Sequence, residues 1–382
     1  MGERIEVVYS SDLRYLRYAG ASMLSVLSNT ARAVRFHVQH AGIPEEAQEA
    51  TRRLVAANGG ECVFSQVDRG VFTELEKHIS NANIRVESFF RLAVPSTLLD
   101  VDKAIYLDCD TLALSDIGEV FDHGLGGALL GAVEDGDIYQ DRYDRAYGLD
   151  GHLYFCSGVM LMNLARLRMM DLVREACRVA GKLRTLAEST GLQFYEDQCV
   201  LNYLLKGRTT RLPRRFHVML LSSYAKSPSR DGGEQTLEEY VDALCRPVVV
   251  HFTGLGLRMY EQGLIPEFPF VPLLDQYLAE VGQVLPSALV KDDGEKMGQY
   301  VQDWLGYFQD IASMSVFRRT DIEPCDGKLL ALYGSSEYAF NCVAYLKMNG
   351  IDIEAVFDHE PEFERVFGMS VTEPKPGYHT LS

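Results

Sequence analysis

Polar and apolar residues alternate from Ile5 to Tyr9, and apolar residues then recur at helical spacing from Tyr15 to Leu27, so the chain opens with a strand and a helix. Arg35 to Gln39 reads as a second strand. Pro44 to Ala57 reads as a helix begun by proline and stopped by Asn58-Gly59-Gly60, and Glu61 to Val67 as a third strand. This alternation predicts an α/β fold around a largely parallel sheet. Val86 to Leu99 is apolar at helical spacing despite Pro95, and it leads into a strand, Lys103 to Leu107, that ends in Asp108-Cys109-Asp110.

Beyond that point the pattern predicts a short helix from Ser115 to Phe121, a strand from Ala128 to Val133 and an acidic run, Glu134-Asp135-Gly136-Asp137. Asp137 to Leu153 is rich in Tyr, Asp and Arg without a clean period, which fits a mobile active-site cover and a variable surface loop equally. Val159 to Asn163 reads as a buried strand, Leu164 to Val179 as a helix, Asp197 to Leu205 as another, and Pro247 to Val250 as a strand delivering His251. After about residue 280 the composition shifts: Glu295 to Val316 is an amphipathic helical pattern with the only tryptophan, Trp304. From Lys328 a strand, a helix (Tyr338 to Met348), a turn at Asn349-Gly350 and another strand follow. The expected organisation is a catalytic domain over 1–280, a helical linker over 281–327 and a partial Rossmann-like α/β module over 328–382.

A chain of 382 residues exceeds one ordinary core, which agrees with a catalytic unit of roughly 250 residues plus an appendage. No segment approaches the ~20 apolar residues of a membrane span, and the amino end lacks the marks of a signal peptide, so a cytoplasmic location is expected. The formal charge of −17 argues against broad nucleic-acid binding and leaves only peripheral membrane contact open. An anionic ligand would then need a local cation, since no glycine-rich phosphate loop with its lysine is present. The eight cysteines lie singly, as reduced thiols do.

Asp108 and Asp110, two apart, can converge just past a strand end. Such carboxylates suit a hard divalent ion, Mn²⁺ or Mg²⁺, that keeps open positions for diphosphate oxygens. A bare pair is more often two loop acids. His251 at its strand end can offer a neutral nitrogen to the same ion, though a lone histidine there is more often a core residue. By the same standard Asp197 reads as a helix cap, Arg91 as an ion-pair arginine and Asp135 as a turn acid.

The run FFRLAVPSTLLDVDKAIYLDCDTL resembles the core of family 8 glycosyltransferases, which include bacterial lipopolysaccharide galactosyl- and glucosyltransferases and glycogenin. YSSDLRY resembles the strand and loop that hold uracil and ribose, FCSGVMLMNL the FNAGV-type strand, DQCVLN the DQD-type segment, and His251-Phe252-Thr253-Gly254 the late HY-x-G motif. The match runs in family order over about residues 4–260. The resemblance implies a GT-A type, Rossmann-like nucleotide-sugar domain. It implies a donor site of Ser10, Asp12, Tyr15, Arg91, Asp108, Cys109, Asp110, Asp135, Cys156, Ser157, Gly254 and Arg258. It also implies a metal held by Asp108, Asp110 and His251, with Asp197 and Gln198 as the catalytic pair. Three departures stand out: Cys156 replaces an asparagine that bonds the donor sugar, leaving that bond to be lost or taken over by Ser157; Leu257 replaces a lysine for the diphosphate; and Arg258, one step on, can supply that charge.

The implied reaction is retaining, Mn²⁺-dependent transfer of glucose or galactose from a UDP-sugar to a hydroxyl of a glycan, lipid-linked glycan or glycoprotein. No second carboxylate is placed as in retaining hydrolases, which favours attack on the face that UDP leaves, with Gln198 beside the oxocarbenium-like state, over a covalent intermediate on Asp197. One alternative is a degenerate domain that binds nucleotide-sugar without turnover. Haloacid-dehalogenase phosphatases also end a strand in paired aspartates, but they place Thr or Val where Leu112 stands. At the carboxyl end, Gly334-Ser335-Ser336-Glu337-Tyr338-Ala339 and Asp358 resemble a dinucleotide-binding turn that keeps only its first glycine. An assembly role, as in a homo-oligomer, is expected there in place of NAD binding.

Overall fold

Strand β1 (Ile5–Ser10) is buried along its length, and its residues divide between two cores: Ile5, Val7 and Tyr9 face one, Val8 the other. The same division governs β4 (Lys103–Leu107) and β7 (Phe155–Asn163), where Ile105, Leu107, Val159 and Leu161 meet the first core and Ala104, Tyr106, Met160 and Met162 the second. The structure, a computed structural model, describes residues 3–79, 85–135, 140–219, 239, 242–243, 246–261, 270–285, 329–333, 355–357, 365–366, 369–372 and 378–381.

The other strands are β2 (Val34–His40), β3 (Glu61–Gln66), β5 (Thr111–Ala113), β6 (Leu130–Glu134), β8 (Thr209–Arg211), β9 (Val218–Met219) and β10 (Val249–His251). Seven form the main sheet in the order β3-β2-β1-β4-β7-β6-β8. It is a mixed, mostly parallel sheet. β7 runs antiparallel to both β4 and β6, a reversal that hydrophobic pattern alone does not encode. Helices α1 (Leu16–Asn29), α2 (Glu45–Ala57) and the later Val271–Gly282 cover the first core, while Leu172–Thr190 and Glu196–Leu204 cover the second. These last are α3 (Leu172–Thr190), α4 (Glu196–Leu204), α5 (Thr253–Glu261) and α6 (Val271–Gly282) in chain order.

β5, β9 and β10 form a small second sheet that the pattern of residues did not predict as a unit. β10 runs antiparallel to β5, with His251 opposite Thr111, and parallel to β9, with His251 opposite Met219. Three-residue strands are too short to show a period, so only their pairing identifies them.

Several elements differ from expectation. The segment Val86 to Leu99 is a 3₁₀ helix, Val86–Ala93, followed by one α turn, Val94–Thr97, in whose first turn Pro95 lacks no needed donor. The helix expected from Leu164 to Val179 is broken: Asn163 caps a single turn, and Asp171 starts α3 by accepting from the Arg174 amide at 3.2 Å. The stretch Asp137 to Leu153, expected to be irregular as a cover or a surface loop, contains a helix, Gln140–Tyr147. Tyr143 packs there with Tyr147, Tyr154 and Tyr195, so aromatic contacts hold a segment in which aliphatic periodicity is missing.

At the carboxyl end, β11 (Leu329–Tyr333), β12 (Ala355–Phe357), β13 (Arg365–Val366), β14 (Met369–Thr372) and β15 (Tyr378–Leu381) form a sheet in the order β13-β14-β12-β11-β15. Its pairings are parallel except β13 with β14. The helices expected over Glu295 to Val316 and Tyr338 to Met348, with Trp304, Gly334 and Asp358, lie outside the described residues. Among the described residues no helix is long and apolar enough to cross a membrane.

Buried Asn202 ties α4 to β7: its Oδ1 accepts from the Phe155 amide at 2.8 Å, and its Nδ2 donates to the Phe155 carbonyl at 2.8 Å. Asn202→Ala leaves both backbone groups unpaired, and urea unfolding should register a loss on the order of 2–3 kcal/mol. A change within about 0.5 kcal/mol, the range of neutral surface substitutions, would show that the clamp is dispensable.

Candidate functional site

β1 and β4 run parallel with Val8 opposite Tyr106, so Ser10, the last residue of β1, and Asp108, just past β4, lie side by side. Asp108, Cys109 and Asp110 form a turn between β4 and β5. The turn is pinned from two sides. The Asp108 amide donates to the Gly158 carbonyl at 2.8 Å, and the Phe252 amide donates to the Asp110 carbonyl at 2.9 Å. Cys109 turns into the core, its thiol donating to the Ser10 carbonyl at 3.2 Å, which leaves the two carboxylates on the open side.

The short β5–β10 pairing brings His251 to them. Its Nε2 lies 3.0 Å from Asp110 Oδ1 and 3.9 Å from Asp108 Oδ2. The ring also lies against Gly158, where an added Cβ would come within 2.6 Å of His251 Cε1 and 3.0 Å of Asp108 Oδ2. Only glycine permits this approach. The three ligand atoms lie within 4.8 Å of one another, two oxygens and one nitrogen, a set that fits Mn²⁺ or Mg²⁺. A second group, Cys156, His217 and His251, is equally close but fully buried and rich in softer donors.

Behind the acids sits Arg91, buried on the 3₁₀ helix. It donates to Asp108 Oδ1 at 2.7 Å, to the Ser157 carbonyl and Oγ at 2.8 Å each, and to the Ser88 carbonyl at 2.8 Å. Asp197 Oδ2 lies 3.1 Å from the same guanidinium, and the ring of Tyr106 lies 4.7 Å beneath it. Ser157 donates from Oγ to Asp197 at 3.1 Å and from its amide to Gln198 Oε1 at 3.1 Å. Gln198 Nε2 donates to Asp135 at 2.7 Å. A bulge in β6 just before Asp135 re-aims that acid, and the amide of Gln198 is held at both ends. The left-handed φ of 31° at Glu196 and 57° at Thr253 marks strain beside Asp197 and His251.

These contacts set the charges. Burial pushes Asp108 up to about 6, with Asp110 and Asp197 adding to the rise and Arg91 and His251 opposing it. Burial acts on Asp110 in the same direction, but the adjoining His251 outweighs it and holds this carboxyl below the usual range. Burial alone would lower His251, yet Asp110 and Asp108 raise it. Asp197 is raised by burial against the pull of Arg91 and Ser157.

The remaining expected residues are placed as follows. Asp12 accepts from the Tyr15 amide at 2.8 Å and so helps start α1, while Ser10 lies 3.5 Å from Gln39 Oε1. Cys156 donates to Met219 Sδ at 3.5 Å. Leu257 is buried in the first core, and Gly254 and Arg258 lie on α5 with side chains outside the described residues. Residue patterns missed Gly158, Tyr106 and His217. The close approach at Gly158 has a signal in the sequence, a glycine inside an otherwise apolar strand; the other two have none.

The mixed, mostly parallel α/β sheet with paired acids past the carboxyl end of β4 matches the fold of the glycosyltransferase LgtC. The sequence profile of Glycosyl transferase family 8 matches residues 6–256, and the chain belongs to that family. It is 28% identical over 274 residues to lipopolysaccharide 1,2-glucosyltransferase of Escherichia coli, a match covering 70% of this chain and 76% of that protein. It is 26% identical over 217 residues to a putative glycosyltransferase of Haemophilus influenzae, covering 56% of this chain and 63% of that one. The structure of galactosyltransferase LgtC in complex with donor and acceptor sugar analogs is similar at a TM-score of 0.58 and 25% identity, covering 79% of this chain and all of that one. An active-site mutant of LgtC gives a TM-score of 0.60 at 25% identity, covering 73% and 96%. The protein is a glycosyltransferase.

Two outcomes follow from the geometry. Gly158→Ala should displace His251 and weaken Mn²⁺ binding, read by titration calorimetry, at least tenfold; unchanged affinity would mean that His251 is not needed there. Because Asp108 keeps its proton up to about pH 6, a cation must displace that proton at lower pH. Mn²⁺ affinity should therefore rise as pH climbs through about 6 and go on rising until His251, itself held above its ordinary value by the two acids, is neutral, and a pH-independent affinity from 5 to 8 would contradict this assignment.

Proposed function

We propose that the chain is a retaining, metal-dependent hexosyltransferase that uses UDP-glucose or UDP-galactose and a hydroxyl of a glycan or glycoconjugate. The observation that carries this reading is the convergence of Asp108, Asp110 and His251 in front of the buried Arg91–Asp197–Gln198 network. A bound Mn²⁺, or Mg²⁺, would supply charge neutralisation for a departing diphosphate. Asp108, Asp110 and His251 would hold it.

The chain's own residues divide the other tasks. Arg91 keeps Asp108 aimed at the open side and balances Asp197. Gln198, fixed between Ser157 and Asp135, presents a rigid amide dipole where positive charge develops on the sugar. Asp197 is committed to Arg91 and Ser157 through Oδ2. That engagement favours a role in binding sugar hydroxyls over nucleophilic attack, and hence acceptor attack on the face that UDP leaves. The Ser157 hydroxyl is likewise engaged by Arg91 and Asp197, which favours loss of the donor-sugar bond made by the family's asparagine over its takeover by Ser157. The donor loop Ser10, Asp12 and Tyr15 adjoins the acids through Cys109, as a nucleoside subsite would. The choice between glucose and galactose rests on one hydroxyl's orientation, within reach of a single polar contact. Peripheral docking at the inner membrane face would bring a lipid-linked acceptor to the site, and the carboxyl-terminal sheet is proposed to serve assembly.

A second reading has its own observation: Leu257, where the family carries a diphosphate-binding lysine, is buried in the core, as expected if the domain binds nucleotide-sugar without turnover. UDP release from UDP-glucose and UDP-galactose separates the two. Transfer predicts release with Mn²⁺, none with chelator, and a loss of at least a hundredfold in Asp110→Asn. Donor binding without release, across a panel of sugar acceptors, would establish the second reading.

A further inference from the structure

His217 precedes β9, whose parallel pairing with β10 sets its ring against that of His251. The ring planes differ by 23°, and His217 Nε2 lies 2.9 Å from His251 Nδ1. On its far side His251 Nε2 faces the two acids. An imidazole that offers Nε2 to a cation must carry its proton on Nδ1, and inside a buried site that N–H requires an acceptor. Among the described residues, His217 is the side chain hydrogen-bonded to His251 Nδ1.

We propose that His217 is a positioning residue: by accepting a hydrogen bond from His251 Nδ1 it holds the imidazole in the tautomer whose Nε2 lone pair faces Asp108 and Asp110. The inference deepens the metal-dependent reading above and rests on it. A second feature points the same way. Among the described residues His217 Nδ1, which carries the ring's proton when Nε2 accepts, is buried without a hydrogen-bond partner, a cost that an apolar side chain of similar size would avoid at no loss of packing. The retained ring therefore has work beyond filling space. Partners of this kind, a step removed from the ion, typically govern about 10–100-fold in metal affinity.

The test compares Mn²⁺ affinity, measured by electron paramagnetic resonance titration without donor or acceptor, in the unaltered chain, His217→Phe, His217→Gln and Asp110→Asn. Phenylalanine fills the space without an acceptor, and glutamine restores an oxygen near the position of Nε2. The expected result is about 10–100-fold weaker binding in His217→Phe with most of it recovered in His217→Gln. Native affinity in a folded His217→Phe, or equal weakness in both His217 variants, would overturn the role. Should His217→Phe fail to fold, ¹⁵N spectra of the unaltered protein with Mg²⁺ decide: a protonated His251 Nδ1 supports the role and a bare one overturns it. Asp110→Asn separates the two levels, because full Mn²⁺ affinity in that variant would bring down the metal site itself.

Discussion

One guanidinium, sealed under the sheet edge, holds the site in shape. Arg91 meets Asp108 and Asp197 at once and spends its remaining donors on Ser157 and Ser88. Two carboxylates buried this closely repel each other, and burial already pushes both upward in pKa. The cation between them keeps the pair compatible with folding, and its rigid fork fixes where each carboxylate points. Asp108 is thus aimed outward toward Asp110 and His251, while Asp197 is kept back beside Gln198. The same residue links the 3₁₀ helix, the β4 turn, β7 and α4, four pieces far apart in the chain.

Around that centre, short backbone pairings accomplish what side-chain pattern cannot. Three strands of two or three residues carry His251 and His217 to the acids. Gly158 removes the one Cβ that would block the approach. Of the four non-glycine residues with left-handed φ among the described residues, two, Glu196 and Thr253, stand one or two residues from a group the site needs. The site is therefore built from element ends and one bare backbone position, all braced by the same sheet.

Much of this was legible in the residues. Long elements with clear periods, such as β1, α1, α2 and β4, read correctly because each buries a regular stripe. The order of motifs grouped Asp108, Asp110, Arg91, Asp135, Asp197 and Gln198, and the structure brings these side chains together. What stayed hidden has physical causes. The reversed direction of β7 leaves no trace in a strand buried on both faces, since burial erases alternation. The helix Gln140–Tyr147 is held by tyrosines whose polar tips mask an apolar contact. Cys109 was expected at the donor, but a turn between paired acids points its middle residue inward. His217 stood outside any motif, and only the pairing of β9 with β10 reveals its neighbour.

The central claim is that the Asp108, Asp110 and His251 cluster holds the cation that faces the donor diphosphate. The most direct measurement is an anomalous X-ray map at the manganese edge, from crystals grown with Mn²⁺ and a non-hydrolysable UDP-hexose. The account predicts one strong peak bounded by both carboxylates and His251 Nε2, with diphosphate oxygens completing its coordination. A bound nucleotide with no peak there, or with manganese lodged elsewhere, would contradict it.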